Sequence, residues 1–356
     1  MNPTPDLTRP PFAGAPDATF LPAPADGVLP EGFYATSNLP TWVCVGGRWQ
    51  MPTRPRMDGA VVPRGDGLEV VEPRRVRAGE PVLLGLSEDG TEGVVVGTEG
   101  FLRSSSANEF RFMATEVSRE RPVDYAELAE RLEQERRLGG YLIWVIGPAL
   151  VHSRARTDLE WFIRSGYVQA VLAGNAVAVH DIEAAIFGTT LGMSSAGLPT
   201  AGGHSLHMRA INRIRAAGSI EAAVRAGLIP DGIMHALVTE GVPYLLAGSI
   251  RDDGPLPGVI TDTLAAQDAM RAFTDRATGA IFIATALHAI AVGNMLPAFH
   301  QQRGAPEPLM TVCVDQTEFV VHKLRDRGTH QAYGVVTNAQ DFMHVLRDFT
   351  ARCRQS

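Results

Sequence analysis

Two textures of apolar and polar residues divide the chain. From Phe33 to about Ser118, short apolar runs alternate with Gly, Asp and Pro turns. Thr41-Trp42-Val43-Cys44-Val45, then Gly46-Gly47, then Arg48-Trp49-Gln50 reads as a β-hairpin. Ala60–Val62, Leu68–Val71, Pro81–Leu84 and Gly93–Val96 are further short strands, and Phe110–Met113 closes the region. Val123–Leu138 is an amphipathic helix, with Leu128 and Leu132 one turn apart, ended by Gly139-Gly140. After it, near-continuous apolar strands alternate with helices. The strands are Tyr141–Ile146, Tyr167–Ala173, Val242–Ala247, Gly279–Ala284, Leu309–Val314 and Tyr333–Val336. Helices are expected at 157–165, 176–187, 204–217, 219–227, 231–240, 262–275, 287–295, 316–327 and 339–352. Strands apolar on both faces and alternating with helices imply a parallel sheet covered on both sides. The fold class is therefore α/β, a Rossmann-like doubly wound sheet over 119–356 preceded by a small β-rich domain over 33–118. Residues 1–32, rich in Pro, Ala, Asp and Thr and without period, form a disordered or draped arm.

Ala247–Asp262, AGSIRDDGPLPGVITD, carries the densest chemistry. An apolar strand ends at Gly248, and Ser249, Arg251, Asp252 and Asp253 follow before Pro255, Pro257 and a new helix. Ligands of α/β proteins sit at the carboxyl ends of strands. An arginine beside two aspartates can hold a carboxylate and an ammonium group together, which suits an amino acid. A solvated Gly/Pro surface loop is the plain alternative.

Other strand ends offer less. No GxGxxG occurs, and Gly147-Pro148 lacks the spacing of the usual dinucleotide turn. Asp315 ends a strand where an acid can bind ribose hydroxyls or cap the next helix. Gly174-Asn175 and Gly293-Asn294 could each set an amide against a cofactor, or be turns. Gly202-Gly203 precedes His204 and His207, three apart and able to share a helix face that binds an anion or moves a proton. His180-Asp181-Ile182-Glu183 has weak metal spacing, and no metal is expected.

Composition narrows the function. The 356 residues are 45% hydrophobic and 20% charged, as for a globular protein with a core. A net charge of −7 disfavours nucleic acid as a partner. Lys323 is the one lysine, so Schiff-base chemistry has a single candidate. Cys44, Cys313 and Cys353 are sparse and unpaired in spacing, which fits a reducing cytoplasm. The longest apolar window, Ala277–Met295, contains His288, Gly293 and Asn294 and reads as a strand and buried helix rather than a membrane span.

TSNLPTWV (36–43), RMDGAVV (56–62), EFRFMATEVS (109–118), GPALVH (147–152), AGNAVAVHDIEAAIFGT (173–189), GGHSLHMRAIN (202–212), AGSIRDDGPLPGVITD (247–262), LHAIAVGNMLP (287–297) and VDQTEFVVHKLRDRG (314–328) stand in the order of a known family. The chain resembles the conserved region named after lysine-ketoglutarate reductase/saccharopine dehydrogenase bifunctional enzymes. That region is similar to the archaeal NAD-dependent ornithine cyclodeaminases and to the C-terminal part of the cyanobacterial arginine dihydrolase/ornithine cyclodeaminase. The resemblance implies NAD as cofactor and a redox-neutral cyclisation of a diamino acid, ornithine giving proline and ammonia through transient hydride transfer to NAD. It also implies a homo-oligomer. In that frame Arg251 would clamp the substrate carboxylate, and Asp252 or Asp253 would bind or deprotonate an amine, with His204 and His207 as further catalytic candidates. Cofactor candidates are Gly147, Pro148, Gly174, Asn175, Gly248, Ser249, Gly293, Asn294 and Asp315. The chain departs from the family pattern at His235-Ala236-Leu237, where Tyr-x-Cys is common, and at Ser153-Arg154, where Thr-Gly is usual. A related diamino or guanidino acid is thus an alternative substrate. A net amino-acid or opine-type dehydrogenase and a non-catalytic NAD- or amino-acid-binding regulator are alternative functions.

Overall fold

The computed structural model describes residues 5–97, 123–153, 155–194, 196–252, 254–301, 306–317, 320 and 333–355. Phe110–Met113, Arg154, Asp253, Lys323 and nearly all of the expected helix at 316–327 lie outside them. The chain divides into two compact units. Unit 1 comprises Met1–Phe110, Gly293–Met310 and Lys323–Ala332; unit 2 comprises Arg111–Val292, Thr311–His322 and Tyr333–Ser356.

Unit 1 is built of short antiparallel strands. β1 (Phe20–Pro22) pairs with β6 (Pro81–Leu83), while β2 (Thr41–Val45) lies between β3 (Arg48–Gln50) and β7 (Val94–Val96). β4 (Ala60–Arg64) and β5 (Gly67–Val71) form a hairpin. Their inward residues Val43, Val61, Leu68, Val70, Leu83 and Val94 make one core cluster with Tyr34. Residues 5–32, for which disorder and draping were both open, drape along this unit. Phe12 is buried edge-on against Trp42 and Trp49, and β1 completes a strand pair. The segment after Gly293 is tied in by backbone bonds, Met57 N to Asn294 O at 3.2 Å and Ala298 N to Asn38 O at 2.8 Å.

Unit 2 holds the six-stranded sheet. In chain order the strands are β8 (Leu142–Ile146), β9 (Ala170–Gly174), β10 (Tyr244–Ala247), β11 (Gly279–Ile283), β12 (Met310–Asp315) and β13 (Tyr333–Val336). They lie side by side as β10-β9-β8-β11-β12-β13, with parallel registers. Numbered by sequence this is 3-2-1-4-5-6, the order of a dinucleotide-binding doubly wound sheet. Every residue of β8 and β11 is buried, which accounts for their unbroken apolar runs. Parallel crossovers are right-handed as a rule, which for this strand order puts the helices of the two halves on opposite faces.

The helices are α1 (Tyr125–Arg137), α2 (Ala149–His152), α3 (Arg156–Arg164), α4 (Asn175–Phe187), α5 (Leu206–Ala217), α6 (Ile220–Arg225), α7 (Ile233–Thr239), α8 (Thr263–Thr274), α9 (Ala286–Met295) and α10 (Ala339–Gln355). Asp124, Ser219 and Asp262 cap α1, α6 and α8 by accepting a backbone N–H three residues on. Two features escape the hydrophobic pattern. α2 is a single turn, and Thr189–Thr190 and Met193–Ser194 form a small hairpin, both too short to show a period.

Asp181 joins three helices. It is fully buried on α4 and accepts from Arg156 Nε of α3 at 2.5 Å. It also accepts from Ile233 N at 3.0 Å and Met234 N at 2.7 Å, so it caps α7 from outside. Removing one partner of a buried ion pair leaves an uncompensated charge. Asp181→Ala should therefore lower the unfolding free energy by about 3 kcal/mol, read from urea denaturation; a change under about 0.5 kcal/mol, typical of a surface site, would contradict this assignment.

Candidate active site

The crevice of a 3-2-1-4-5-6 sheet opens between strands 1 and 4, here β8 and β11. Their carboxyl ends converge. Gly147 N donates to Ile283 O at 2.9 Å, and a Cβ on Gly147 would lie 1.8 Å from Ala284 O. Only glycine fits there. Ala284 itself has φ of 53°, and its N donates to Val314 O of β12 at 3.0 Å. A non-glycine residue in this region costs on the order of 1–3 kcal/mol, and such strain gathers at functional sites.

The turn at Ala284-Thr285 launches α9, and with it His288. This ring reaches across the tip of β8 to β9: a Cβ on Gly174 would lie 2.9 Å from His288 Cε1. Thr285 Oγ1 is 3.5 Å from His288 Nδ1. Burial lowers the pKa of His288 below the usual histidine value. The space that glycine opens at 174, expected to admit a cofactor, is filled by this imidazole.

Asn175, next to Gly174, is buried, and its Oδ1 accepts from Leu256 N at 3.0 Å. That bond draws the 248–262 loop over the tip of β9. The loop is held at both ends, by Gly248 N to Ile260 O at 2.8 Å and Ile260 N to Leu246 O at 2.9 Å. Arg215 donates to Pro255 O at 3.0 Å. Within the loop, Asp252 Oδ2 accepts from Ser249 N at 2.7 Å, and Asp252 N donates to Ser249 O at 3.0 Å. Asp252 thus shapes the loop, while Arg251 and Ile250 are exposed on it. Asp253 lies outside the described residues. A continuous path of contacts runs from Leu256 through Asn175, Gly174, His288 and Thr285 to Gly147.

A second histidine group lies on α2 and α4. The rings of His152 and His180 are 4.6 Å apart, and His180 Nδ1 is 3.5 Å from Glu183 Oε2. Glu183 is fully buried and accepts from Thr189 Oγ1 at 2.9 Å, Gly192 N at 2.9 Å and Leu191 N at 3.1 Å. Burial raises its pKa, but the His180 contact and these three donors outweigh that and hold it below the usual carboxylate range. His152 is lowered by burial first and by its neighbour His180 second. Sequence spacing exposes none of this pairing, because 152 and 180 meet only through the adjacency of β8 and β9.

The remaining candidates are dispersed. Pro148 is the N-cap of α2. Asp315 ends β12, and its Oδ1 accepts from Thr317 N and Oγ1 at 3.0 and 2.9 Å. His204 sits exposed in a 3-10 turn, and His207 lies half-buried on α5, so the two do not share one continuous helix. Gly293 and Asn294 close α9 and fall in unit 1. Of the departures from the family pattern, Leu237 is a buried core residue, His235 is half-buried on α7, and Ser153 caps α2 by donating to Leu150 O at 3.3 Å. Among the described residues no group of three His, Cys, Asp or Glu stands ready for a metal ion, and no helix is long and apolar enough to cross a membrane.

Strand order, a glycine-tight switch point and a polar loop folded over the strand tips define a Rossmann-type α/β protein. The family follows from comparison with known proteins. Residues 40–126 match the first region, and residues 126–346 the Rossmann-fold region, of the C-terminal part of ArgZ-like arginine dihydrolases. The chain is 45% identical over 330 residues to the ornithine cyclodeaminase of Methanopyrus kandleri, covering 91% of this chain and 76% of that protein. It resembles the solved structure of a conserved LOR/SDH protein from Methanococcus maripaludis S2, with a TM-score of 0.85, 39% identity, and coverage of 95% and 99%. It also resembles AgrE solved in ternary complex with ornithine and NAD+, with a TM-score of 0.60, 34% identity, and coverage of 96% and 47%. The chain belongs to this ArgZ-like C-terminal family, which includes proteins named ornithine cyclodeaminase.

The lowered histidines set a pH dependence. His152 and His288 have folded values below 6.5, so under acidic conditions the unfolded chain binds more protons than the folded one. Stability should fall as pH drops below about 6.5 and stop falling below the folded values. Replacing both histidines with Asn should flatten the profile between pH 7.5 and 5.5, measured by urea denaturation; an unchanged slope would show that other groups carry it.

Proposed function

We propose that this chain is an NAD-dependent ammonia-lyase that converts ornithine to proline and ammonia. The observation that carries the proposal is the path of contacts joining the Arg251–Asp252 loop to the switch point through Asn175, Gly174 and His288. Family membership and the AgrE complex with ornithine and NAD+ support it. When bound, NAD supplies a transient acceptor for the α-hydride of the substrate.

The chain's own residues fit a dinucleotide at this edge. The sheet order creates the crevice, and the N-terminus of α4 carries neither a side-chain cap nor an acid in its first turn, which suits a phosphate. Asp315 would meet ribose hydroxyls from the tip of β12. Gly147, Pro148, Gly174, Asn175, Gly248 and Ser249 line the carboxyl ends of β8, β9 and β10 along the same edge. Gly293 and Asn294 are proposed as further contacts.

Arg251 is assigned to the substrate carboxylate, its fork matching two oxygens. Asp252 and Asp253 face the task of holding an ammonium group, Asp252 doing so from the loop it also shapes. His204 and His207 are assigned to the same substrate region. Ornithine is favoured over a larger guanidino acid because relatives of this chain are named ornithine cyclodeaminase and AgrE is solved with ornithine and NAD+, while Leu237, one departure from the family pattern, is a core residue. A homo-oligomer working in the cytoplasm completes the proposal.

Incubating the protein with ornithine and NAD should give equimolar proline and ammonia with no accumulating NADH. Stoichiometric NADH would instead identify a net dehydrogenase, and NAD binding without turnover would identify a regulator. Arg251→Ala should raise KM for ornithine roughly 10- to 100-fold, the worth of a charged hydrogen bond, with the melting temperature unchanged. An unaltered KM would remove Arg251 from the substrate site.

A further inference from the structure

Ornithine cyclisation imposes a proton problem that can be written out. The substrate enters with two ammonium groups and one carboxylate. It leaves as a proline zwitterion and an ammonium ion. The Cα–N bond to the α-nitrogen breaks and a Cα–N bond to the side-chain nitrogen forms. The hydride that leaves the α-carbon returns to it, so nothing is oxidised overall. The side-chain nitrogen ends with one proton fewer and the α-nitrogen with one more. A proton must therefore leave the first amine and one must reach the second, a task that a single acid–base group can perform.

We propose that His288 is this group: its imidazole takes the proton from the side-chain ammonium of the substrate, freeing the nucleophile, and delivers it to the departing α-nitrogen. The proposal rests on the cyclodeaminase reading and deepens it. His288 spans the switch point, rising from the strained turn after β11 and lying against Gly174 at the end of β9. Nδ1 faces Thr285 Oγ1, which limits ring rotation. Nε2 has no hydrogen-bond partner among the described residues, and no carboxylate or cation among them is paired with the ring. A neutral, half-buried imidazole of this kind can both accept and return a proton near pH 7. The His152–His180–Glu183 group is less suited, because Glu183 and its three donors tie it to the 189–192 turn.

The test compares His288→Gln, Gly174→Ala and their double variant with wild type. Four readouts are taken: proline formation, the pH profile of kcat/KM, NAD affinity by calorimetry and melting temperature. His288→Gln should lower kcat about 10²- to 10⁴-fold and remove the acidic limb of the pH profile, with NAD affinity and melting temperature little changed. Gly174→Ala presses a Cβ against Cε1 and should lower kcat in the wild-type background but add nothing to His288→Gln, as expected for residues acting through one ring. If His288→Gln does not fold, Gly174→Ala alone decides: an unchanged kcat overturns the proposal. A wild-type enzyme that makes proline beside a His288→Gln variant of equal kcat and identical pH profile overturns this proposal alone. A wild-type enzyme that makes no proline overturns the cyclodeaminase reading and this proposal with it.

Discussion

The contact on which the site depends is between Gly147 and Ala284. With a Cβ at 147 placed 1.8 Å from Ala284 O, β8 and β11 could not finish side by side as they do. Their convergence sets the left-handed turn at Ala284, the turn sets the start of α9, and α9 carries His288 across to Gly174. Each step is a packing consequence of the one before it. The glycine usually read as a phosphate-turn residue works here as a spacer between two strands.

α4 is the second organiser. Its Asn175 anchors the polar loop, its His180 meets His152, its Asp181 caps α7 and holds Arg156, and its Glu183 collects donors from the 189–192 turn. The run His180-Asp181-Ile182-Glu183 invites a metal reading in sequence. In the structure the two acids point to different partners and act as buried hydrogen-bond hubs. Such groups are costly unless fully satisfied, and here each has at least three donors.

Much of the fold was legible because unit 2 is written in long periods. Buried strands such as β8 and β11 read as unbroken apolar runs, and α1 and α8 carry capping aspartates. Boundaries moved by one to three residues where strand and loop share apolar residues, as at Tyr167, which is buried but precedes β9. Single-turn α2 was invisible to any periodicity. The candidate site showed a sequence signal only at its loop: Arg251 and Asp252 stand out as charges after a strand. His288 did not, since one histidine in an apolar helix gives no signal until the adjacency of β8, β9 and β11 places it. Asp315 shows the opposite case, where capping and ligand roles share one signature and its bond from Thr317 N, two residues on, fits either.

The central claim is that the carboxyl edge between β8 and β11 is where cofactor and substrate meet. A crystal structure of the protein with NAD and ornithine tests it most directly. The dinucleotide should lie across the tips of β8 and β11, with the ornithine carboxylate on Arg251 and an ornithine nitrogen within hydrogen-bond reach of His288. Ligands bound at the amino edge of the sheet, or with the 248–262 loop and His288 both out of contact, would contradict it.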